Sequence, residues 1–442
     1  MGPAVAAVAS RDGRPVKLTP SHRLYALGMI LLVSLLMCAR KFSGQGEAFP
    51  IIPLVIAGVA YLLAIRELFC GASFPKRIIV IGLLFAAAWH VAFLAIPTGS
   101  DDDVRRYVWD GRMQRLGYNP YIVVSSDPAL AALHNAETRA MNHPDDPTLY
   151  PPGAELFFRA VNAVHDSVFA MRAAFVICDV VSVFVLLEVL RDTGQAAHWI
   201  LAYAWNPLLA TEVAGSGHVD ILGALLLLVS FAALLRRRGA IASVAFALAV
   251  AVKFLPIVLL PLYWRRVRFR DAALAVIMFA LLYLPFLNHG RIPTGSLGSY
   301  VQSYRFNGPV FAMLERVAAP QVVAGFAVLA GVVVAIGCRA KFRAPSGDAF
   351  AWPMAASLLC APVVYPWYLL WLLPFTRSLE TVPLLIWTVS ILPTYIIWHL
   401  RAAGRPWVLP GWVMLLEYGS VAIAAAAIVL RRIMRRPAGS SQ

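Results

Sequence analysis

An all-α, polytopic bundle of transmembrane helices follows from how this chain distributes its apolar and charged residues. Of its 442 residues 60% are hydrophobic and only 14% charged, with a mean hydropathy of +0.72. Soluble domains are roughly half apolar. The apolar residues come in long runs, and in lipid a helix pairs every backbone polar group within itself. The basic residues behind the net charge of +15 gather in short stretches between those runs. That is the pattern of cytoplasmic loops, and it argues against nucleic acid as the partner of the positive charge.

A crossing helix takes about 20 apolar residues. Runs near 22–39, 49–66, 78–97, 168–190, 197–213, 219–235, 271–288, 318–338, 379–398 and 408–430 predict about ten spans. Two further runs, 239–264 and 349–376, are basic at both ends and carry proline in the middle. Each predicts a helical hairpin that enters and leaves on one side. The first apolar run is expected to be a retained span, since no soluble domain follows it as would follow a cleaved leader. With the N-terminus inside, 23 of the 38 Lys and Arg residues fall on the cytoplasmic side, and Arg40, Lys41, Arg401 and Arg405 are basic exceptions outside. The expectation is an inner (plasma) membrane protein with both termini cytoplasmic. Its parts would be N-terminal spans (1–97), an external segment (98–167), a core bundle with the two hairpins (168–376), and C-terminal spans with a basic tail (377–442).

The external segment holds eight Asp and two Glu of the chain's 23 acidic residues. It opens TGSDDDVRRYVWDGRMQRLGYNPY, which predicts a short surface helix beginning after Ser100 or Asp101. Gly117 stops that helix and Asn119-Pro120 turns the chain. A second short helix is expected after Tyr150-Pro151-Pro152, since proline suits a first helical turn. The five cysteines show neither metal spacing nor a disulfide framework. No internal repeat is visible, which weighs against an inverted-repeat transporter.

The residues that could carry chemistry each admit two readings. Asp102, Arg106 and Asp110 fall at i, i+4 and i+8 of the first surface helix, and Asp103 sits one turn before Tyr107. Acidic residues there offset the helix dipole and pair with arginine. A carboxylate at a membrane surface is equally a general base for a hydroxyl arriving from the aqueous side. Lys253, at the proline break of an apolar hairpin, would serve a phosphate or pair a buried acid, because an unpaired ammonium is costly there. Arg305, in QSYRFNG, is a snorkelling anchor or an anion ligand through charge-assisted hydrogen bonds. His218 and Asp220 in GSGHVD, with Glu212 about two turns earlier, are a helix cap with a bonded imidazole or contacts to sugar and phosphate. His143, Asp145 and Asp146 match no strong metal-ligand spacing and read as solvated loop or acceptor contact. Tyr365, Trp367 and Tyr368 suit an interfacial belt or stacking on a sugar.

The stretch SDDDVRRYVWDGRMQRLGYNPY, followed by TLYPPG, resembles the first large external loop of C-type (GT-C) membrane glycosyltransferases. The type is the bacterial polyprenol-phosphate-mannose-dependent mannosyltransferase. AWNPLLATEVAGSGHVD, Lys253-Phe254-Leu255-Pro256, SYRFNGPVF and VVYPWYLLWLLP fit the same group, so the resemblance runs over roughly 98–376. It implies transfer of a sugar, mannose foremost, from a polyprenyl phosphate to an acceptor hydroxyl at the outer face of the membrane. It also implies that an aspartate of this loop is the base. The family's adjacent acidic pair maps onto Asp102 and Asp103, with Asp101 where serine is common. Arg105 stands where tyrosine is frequent. Arg305 and Lys253 would bind the donor phosphate, and His218, Asp220, Tyr107, Asp110 and Glu212 the substrates. One carboxylate suffices for a single displacement with inversion, unlike the paired carboxylates of glycosidases.

No nucleotide-binding glycine motif is present. No cofactor is expected, and a divalent metal stays open. The expected partners are a polyprenyl-phosphate sugar donor, a glycolipid or glycan acceptor and membrane lipid, not nucleic acid. A lipid or sugar transporter (a flippase) would instead spread its charges along helices at mid-membrane depth. The same architecture is compatible with arabinose or glucose in place of mannose.

Overall fold

The computed structural model describes residues 19–41, 50–70, 74–98 and 103–434. Ser100, Asp101 and Asp102 lie outside the described residues. Among those described the fold is all-α without strands; only isolated bridges join Asn288 to Arg291 and Phe306 to Val363. The helices are α1 (Pro20–Lys41), α2 (Ile51–Phe69), α3 (Lys76–Leu94), α4 (Asp103–Arg115), α5 (Pro152–Val164) and α6 (Val168–Asp192). They continue with α7 (Ile200–Ala204), α8 (Asp220–Leu235), α9 (Gly239–Val252), α10 (Leu260–Tyr263), α11 (Phe269–Tyr283) and α12 (Leu297–Ser303). The last are α13 (Pro309–Leu314), α14 (Pro320–Lys341), α15 (Gly347–Leu359), α16 (Val382–Ser390), α17 (Ile396–Ala402) and α18 (Gly411–Met434).

Eight helical runs among the described residues are long and apolar enough to cross a membrane; α8 and α9 are apolar but shorter. Of the ten expected runs, eight are these helices, one is α8 and one, 197–213, is interrupted. The run at 197–213 is a broken helix that leads from the end of α6 back to the start of α8, at the opposite end of the bundle: α7 ends at Ala204, Asn206-Pro207 interrupts the helix, and Leu209–Ser216 winds as a wide π-helix. Pro207 cannot donate to a continuing helix and disfavours helical geometry at Asn206. Gly217, at φ +80°, closes that segment. Both expected hairpins break where their prolines stand. α9 stops at Lys253, which is extended, and resumes as a 3-10 turn at Leu255–Leu259. After α15 the chain turns and re-enters as 3-10 helix at Pro366–Trp371.

One contiguous apolar core joins the long helices. α8 lies inside it, packed by α6, α9 and the 366–371 turn. The flanks of α3, α11, α14 and α18 leave large side chains such as Leu84, Val276, Val322 and Ile423 exposed, as lipid-facing surfaces do.

The two short helices expected in the 98–167 segment both form. α4 ends two residues before Gly117, whose φ is +88°, and α5 begins at Pro152. α4 packs on α5 and α6, and its arginines are the ties of the whole segment. Arg106 donates to the carbonyls of His143 and Asp146, both at 2.7 Å, and Arg112 grips Asp166 through two nitrogens at 2.7 and 2.9 Å. Arg105 donates to the Glu137 carbonyl and Arg115 to Asn162.

Below them Arg172 of α6 is 2% exposed and donates to the carbonyls of Phe93, Ile96 and Ala214 at 2.5 to 3.0 Å. It thereby bonds carbonyls at the C-terminal end of α3, where helical N–H donors run out, and clamps α3 to the π-helical segment. Arg172→Met removes these charged hydrogen bonds, each worth about 1.5–3 kcal/mol. The detergent-solubilised variant should melt several degrees below wild type; an equal midpoint would show that this fork does not hold the two segments together.

Candidate active site

α3, α9 and α15 end, and α6, α8 and α18 begin, at one end of the bundle, so their connections meet there. Between those connections lies a cavity of about 1020 Å³. Its wall comes from the 140–150 loop, the Lys253 break, the 296–305 stretch, the 365–368 turn and the 398–407 connection.

Asp103 opens onto this cavity from the first turn of α4. Its Oδ2 accepts from the Tyr150 hydroxyl at 3.1 Å and its Oδ1 from Asn142 Nδ2 at 3.2 Å. Tyr150 is itself placed by the Tyr107 hydroxyl at 3.2 Å. Burial, then the Asp103 charge, pushes the Tyr150 phenol far above its ordinary range, so it stays a donor. A half-buried carboxylate held by two donors, with room in front of it, is chemically able to take a proton from a hydroxyl.

Lys253 enters from the break after α9. Its Nζ bonds both oxygens of Asp220, at 2.9 and 3.1 Å, and lies 3.8 Å from the centre of the Tyr368 ring. Both alternatives for this residue are thus in play: it pairs a buried acid, and it still faces the cavity. Tyr368 in turn bonds Tyr300 at 2.7 Å. Beside them Trp367 and Tyr365 stack face to face at 4.3 Å, and His218 stacks beneath Trp367 at 3.9 Å.

Arg305 lines the cavity, yet its guanidinium is occupied. It pairs with Glu315 at 2.7 Å and donates to the carbonyls of Val301, Gln302 and Tyr304. Those bonds cap α12, so Arg305 shapes the wall. Tyr107, Asp110, Glu212, His218 and Asp220, expected as substrate contacts, are each at most 1% exposed and stand behind the wall. Asp220 neutralises Lys253 and accepts from Trp371 Nε1 at 2.7 Å; Glu212 pairs with His218 Nδ1 at 2.8 Å. Tyr107 stacks on Phe158. Arg105, a departure from the family pattern, is a loop tie. His143, Asp145 and Asp146 do reach the cavity, with Tyr304 bonded to His143 at 2.7 Å and to Asp146 at 3.1 Å. Among the described residues no three His, Cys, Asp or Glu side chains gather as metal ligands.

Sequence reasoning missed Tyr150, Tyr300 and Tyr304, which carry no signal beyond being aromatic. It also passed over Arg401 and Arg405 as sites, although both line the cavity. Their signal was their place among the basic exceptions outside.

Under the 140–150 loop, Glu155 accepts from Thr148 at 2.7 Å and from Gln114 at 2.8 Å, and Asp110 lies 3.9 Å from Arg106. Burial pushes the Asp110 carboxyl up to about 6 against the pull of Arg106. Burial and then the Asp110 charge hold Glu155 well above the ordinary carboxylate range.

Residues 24–267 match the family described as Alpha-(1->6)-mannopyranosyltransferase, N-terminal domain, of the MptA/B group, over more than half of the chain. The chain belongs to this family. Its enzymes transfer mannose from a polyprenyl-phosphate donor in the membrane to a glycan acceptor, and the protein is accordingly a multi-pass membrane mannosyltransferase. Comparison with curated proteins and with solved structures returns no match. The matched stretch carries Asp103, Tyr150 and Lys253; Arg305, Tyr300, Arg401 and Arg405 lie beyond it.

Two outcomes follow for the mannosyltransferase. The Tyr150 hydrogen bond favours the ionised carboxylate, so Tyr150→Phe should move the acid limb of the kcat/KM profile upward in pH; an unmoved limb would separate Tyr150 from the base. The folded state holds Asp110 and Glu155 protonated at pH values where the unfolded chain has released those protons. Their contribution to stability is therefore full below the ordinary carboxylate range and lost as pH rises through 6 and beyond. Glu155→Gln should flatten that decline in melting temperature; a slope equal to wild type would rule out this pair as its source.

Proposed function

We propose that the cavity is the site of mannose transfer and that it lies at the outer face of the membrane. Asp103 is the base, with Asp102 beside it in sequence as the second member of the acidic pair. The acceptor hydroxyl gives its proton to the carboxylate as its oxygen bonds to the anomeric carbon. The bond from that carbon to the phosphate oxygen breaks, and its electron pair leaves on polyprenyl phosphate. Lys253 faces the sugar–phosphate linkage with the N–H that Asp220 does not take. Trp367 and Tyr365 offer a flat face to the sugar ring, as aromatic walls of small-molecule sites do.

The observation that carries this reading is that Asp103 and Lys253, from distant parts of the chain, open onto one roomy cavity at the end of a membrane bundle. The placement of basic residues supports the orientation: the opposite end of the bundle carries Arg236 to Arg238, Arg265, Arg266 and Arg339, which the positive-inside rule puts in the cytoplasm. A glycolipid acceptor suits a site at that depth.

The test supplies membranes holding wild type, Asp102→Asn or Asp103→Asn with radiolabelled polyprenyl-phosphate mannose and follows label into glycan. Asp103→Asn should lose about 10²- to 10⁴-fold in rate, the scale of general-base catalysis, at equal membrane level. Wild-type rates in Asp103→Asn with loss confined to Asp102→Asn would move the base by one residue. A single displacement that gives an α-linked product also requires a β-linked donor, so the α-linked donor should transfer nothing; its use would point to a double displacement.

A further inference from the structure

We infer that Arg401 and Arg405 form the cation pair that receives the donor's phosphate, in place of Arg305. This rests on the reading of the cavity as the transfer site. The argument begins with the cavity's positive charges. The charge of Arg106 faces Asp110, 3.9 Å away, with its Nη2 on two loop carbonyls; the charge of Lys253 is balanced by Asp220, and Arg305 is held by Glu315 and three carbonyls. Arg401 and Arg405 line the same cavity, are exposed, and have no acidic partner among the described residues. Among the described residues, Arg401 lies over the Trp407 ring, 5.5 Å from its centre. Net positive charge therefore sits at the 398–407 end of the cavity.

The surroundings of the two arginines fit a lipid phosphate. Trp407 packs on Phe306 at 5.7 Å, Phe306 stacks on Tyr365 at 4.5 Å, and Tyr365 stacks on Trp367. A line of rings thus leads from the arginines to the wall on which the sugar would lie. On the other side, Val408 just before α18 and Trp412 and Leu415 in its first turns are exposed and apolar, a surface along which an isoprenoid tail can run. The chemistry asks for such a pair. Cleavage turns a phosphate diester with one negative charge into a monoester that gains a second. Guanidinium groups stay charged at any working pH and meet phosphate oxygens with paired N–H bonds.

The test is equilibrium binding of radiolabelled farnesyl phosphate, a short polyprenyl phosphate, to the purified full chain in detergent. Farnesol and inorganic phosphate are run as competitors. Wild type should bind farnesyl phosphate more weakly as salt rises. Arg401→Gln/Arg405→Gln should lose about tenfold in affinity per arginine, the scale of one charged hydrogen bond, with its melting temperature unchanged. Arg401→Lys/Arg405→Lys should recover part of that loss, and Arg305→Gln should lower the melting temperature while folded protein binds as wild type. Farnesol should compete equally against wild type and the double glutamine variant. The inference is overturned if the double glutamine variant binds farnesyl phosphate as wild type does, or if inorganic phosphate competes as well as farnesyl phosphate. A double glutamine variant that binds normally beside a wild type that transfers mannose sinks this inference alone. A wild type that neither binds farnesyl phosphate nor transfers mannose sinks the transfer reading with it.

Discussion

A carboxylate buried in an apolar bundle must be neutralised, and at Asp220 that demand organises the floor of the cavity. Asp220 stands in the first turn of α8 at 1% exposure. Removing one partner of such a buried pair is strongly destabilising, because the other charge is left uncompensated. Lys253 can reach it only because α9 stops there. Trp371 reaches the same carboxylate only because residue 223 is glycine: a Cβ at Gly223 would stand 2.0 Å from the Trp371 ring. The lysine also lies over the ring of Tyr368, whose hydroxyl bonds Tyr300 of α12. One ion pair thus joins α8, the break after α9, the 366–371 turn and the segment over the cavity.

The helix α4 solves a different problem, which is to hold the Asp103 carboxylate still at the edge of the cavity. Its interior arginines spend their donors on loop carbonyls and on Asp166. The cost of ordering the 133–150 stretch is therefore met before any substrate arrives. Asp103, in the first turn of the same helix, inherits that rigidity while one side of it stays open. A reactive group on a packed helix is more precisely placed than one on a free loop. The Tyr107–Tyr150–Asp103 chain of hydroxyls extends the fixed geometry to the carboxylate oxygens.

Much of this was legible in the sequence because lipid simplifies the code. The long apolar runs, the stop at Gly117, the start at Pro152 and the breaks at Lys253 and after α15 all stand where hydropathy and proline put them. The break inside the run at 197–213 was not legible because hydropathy averages over Asn206-Pro207, and nothing linear announces a π-helix. For the candidate site, residue type and the end of the bundle were readable but depth was not. Asp110, Glu212, His218 and Asp220 belong to the right end of the molecule. Whether each faces the cavity or the bundle depends on how its helix is rotated against its neighbours, which only packing decides. Arg305 shows the same limit in another form, since its partner Glu315 and the carbonyls of α12 are set by a local turn. Asp102 lies outside the described residues. Arg401 and Arg405 were visible as exceptions to a charge rule, and an exception of that kind is a reason to look for an anion.

The experiment that bears most directly on the location of transfer is a cryo-EM structure of Asp103→Asn in nanodiscs with polyprenyl-phosphate mannose bound. The mannose should lie in the cavity against Trp367 and Tyr365, with the acceptor side of its anomeric carbon toward residue 103. Donor density at the opposite end of the bundle, with this cavity left empty, would contradict the assignment of both the site and the base.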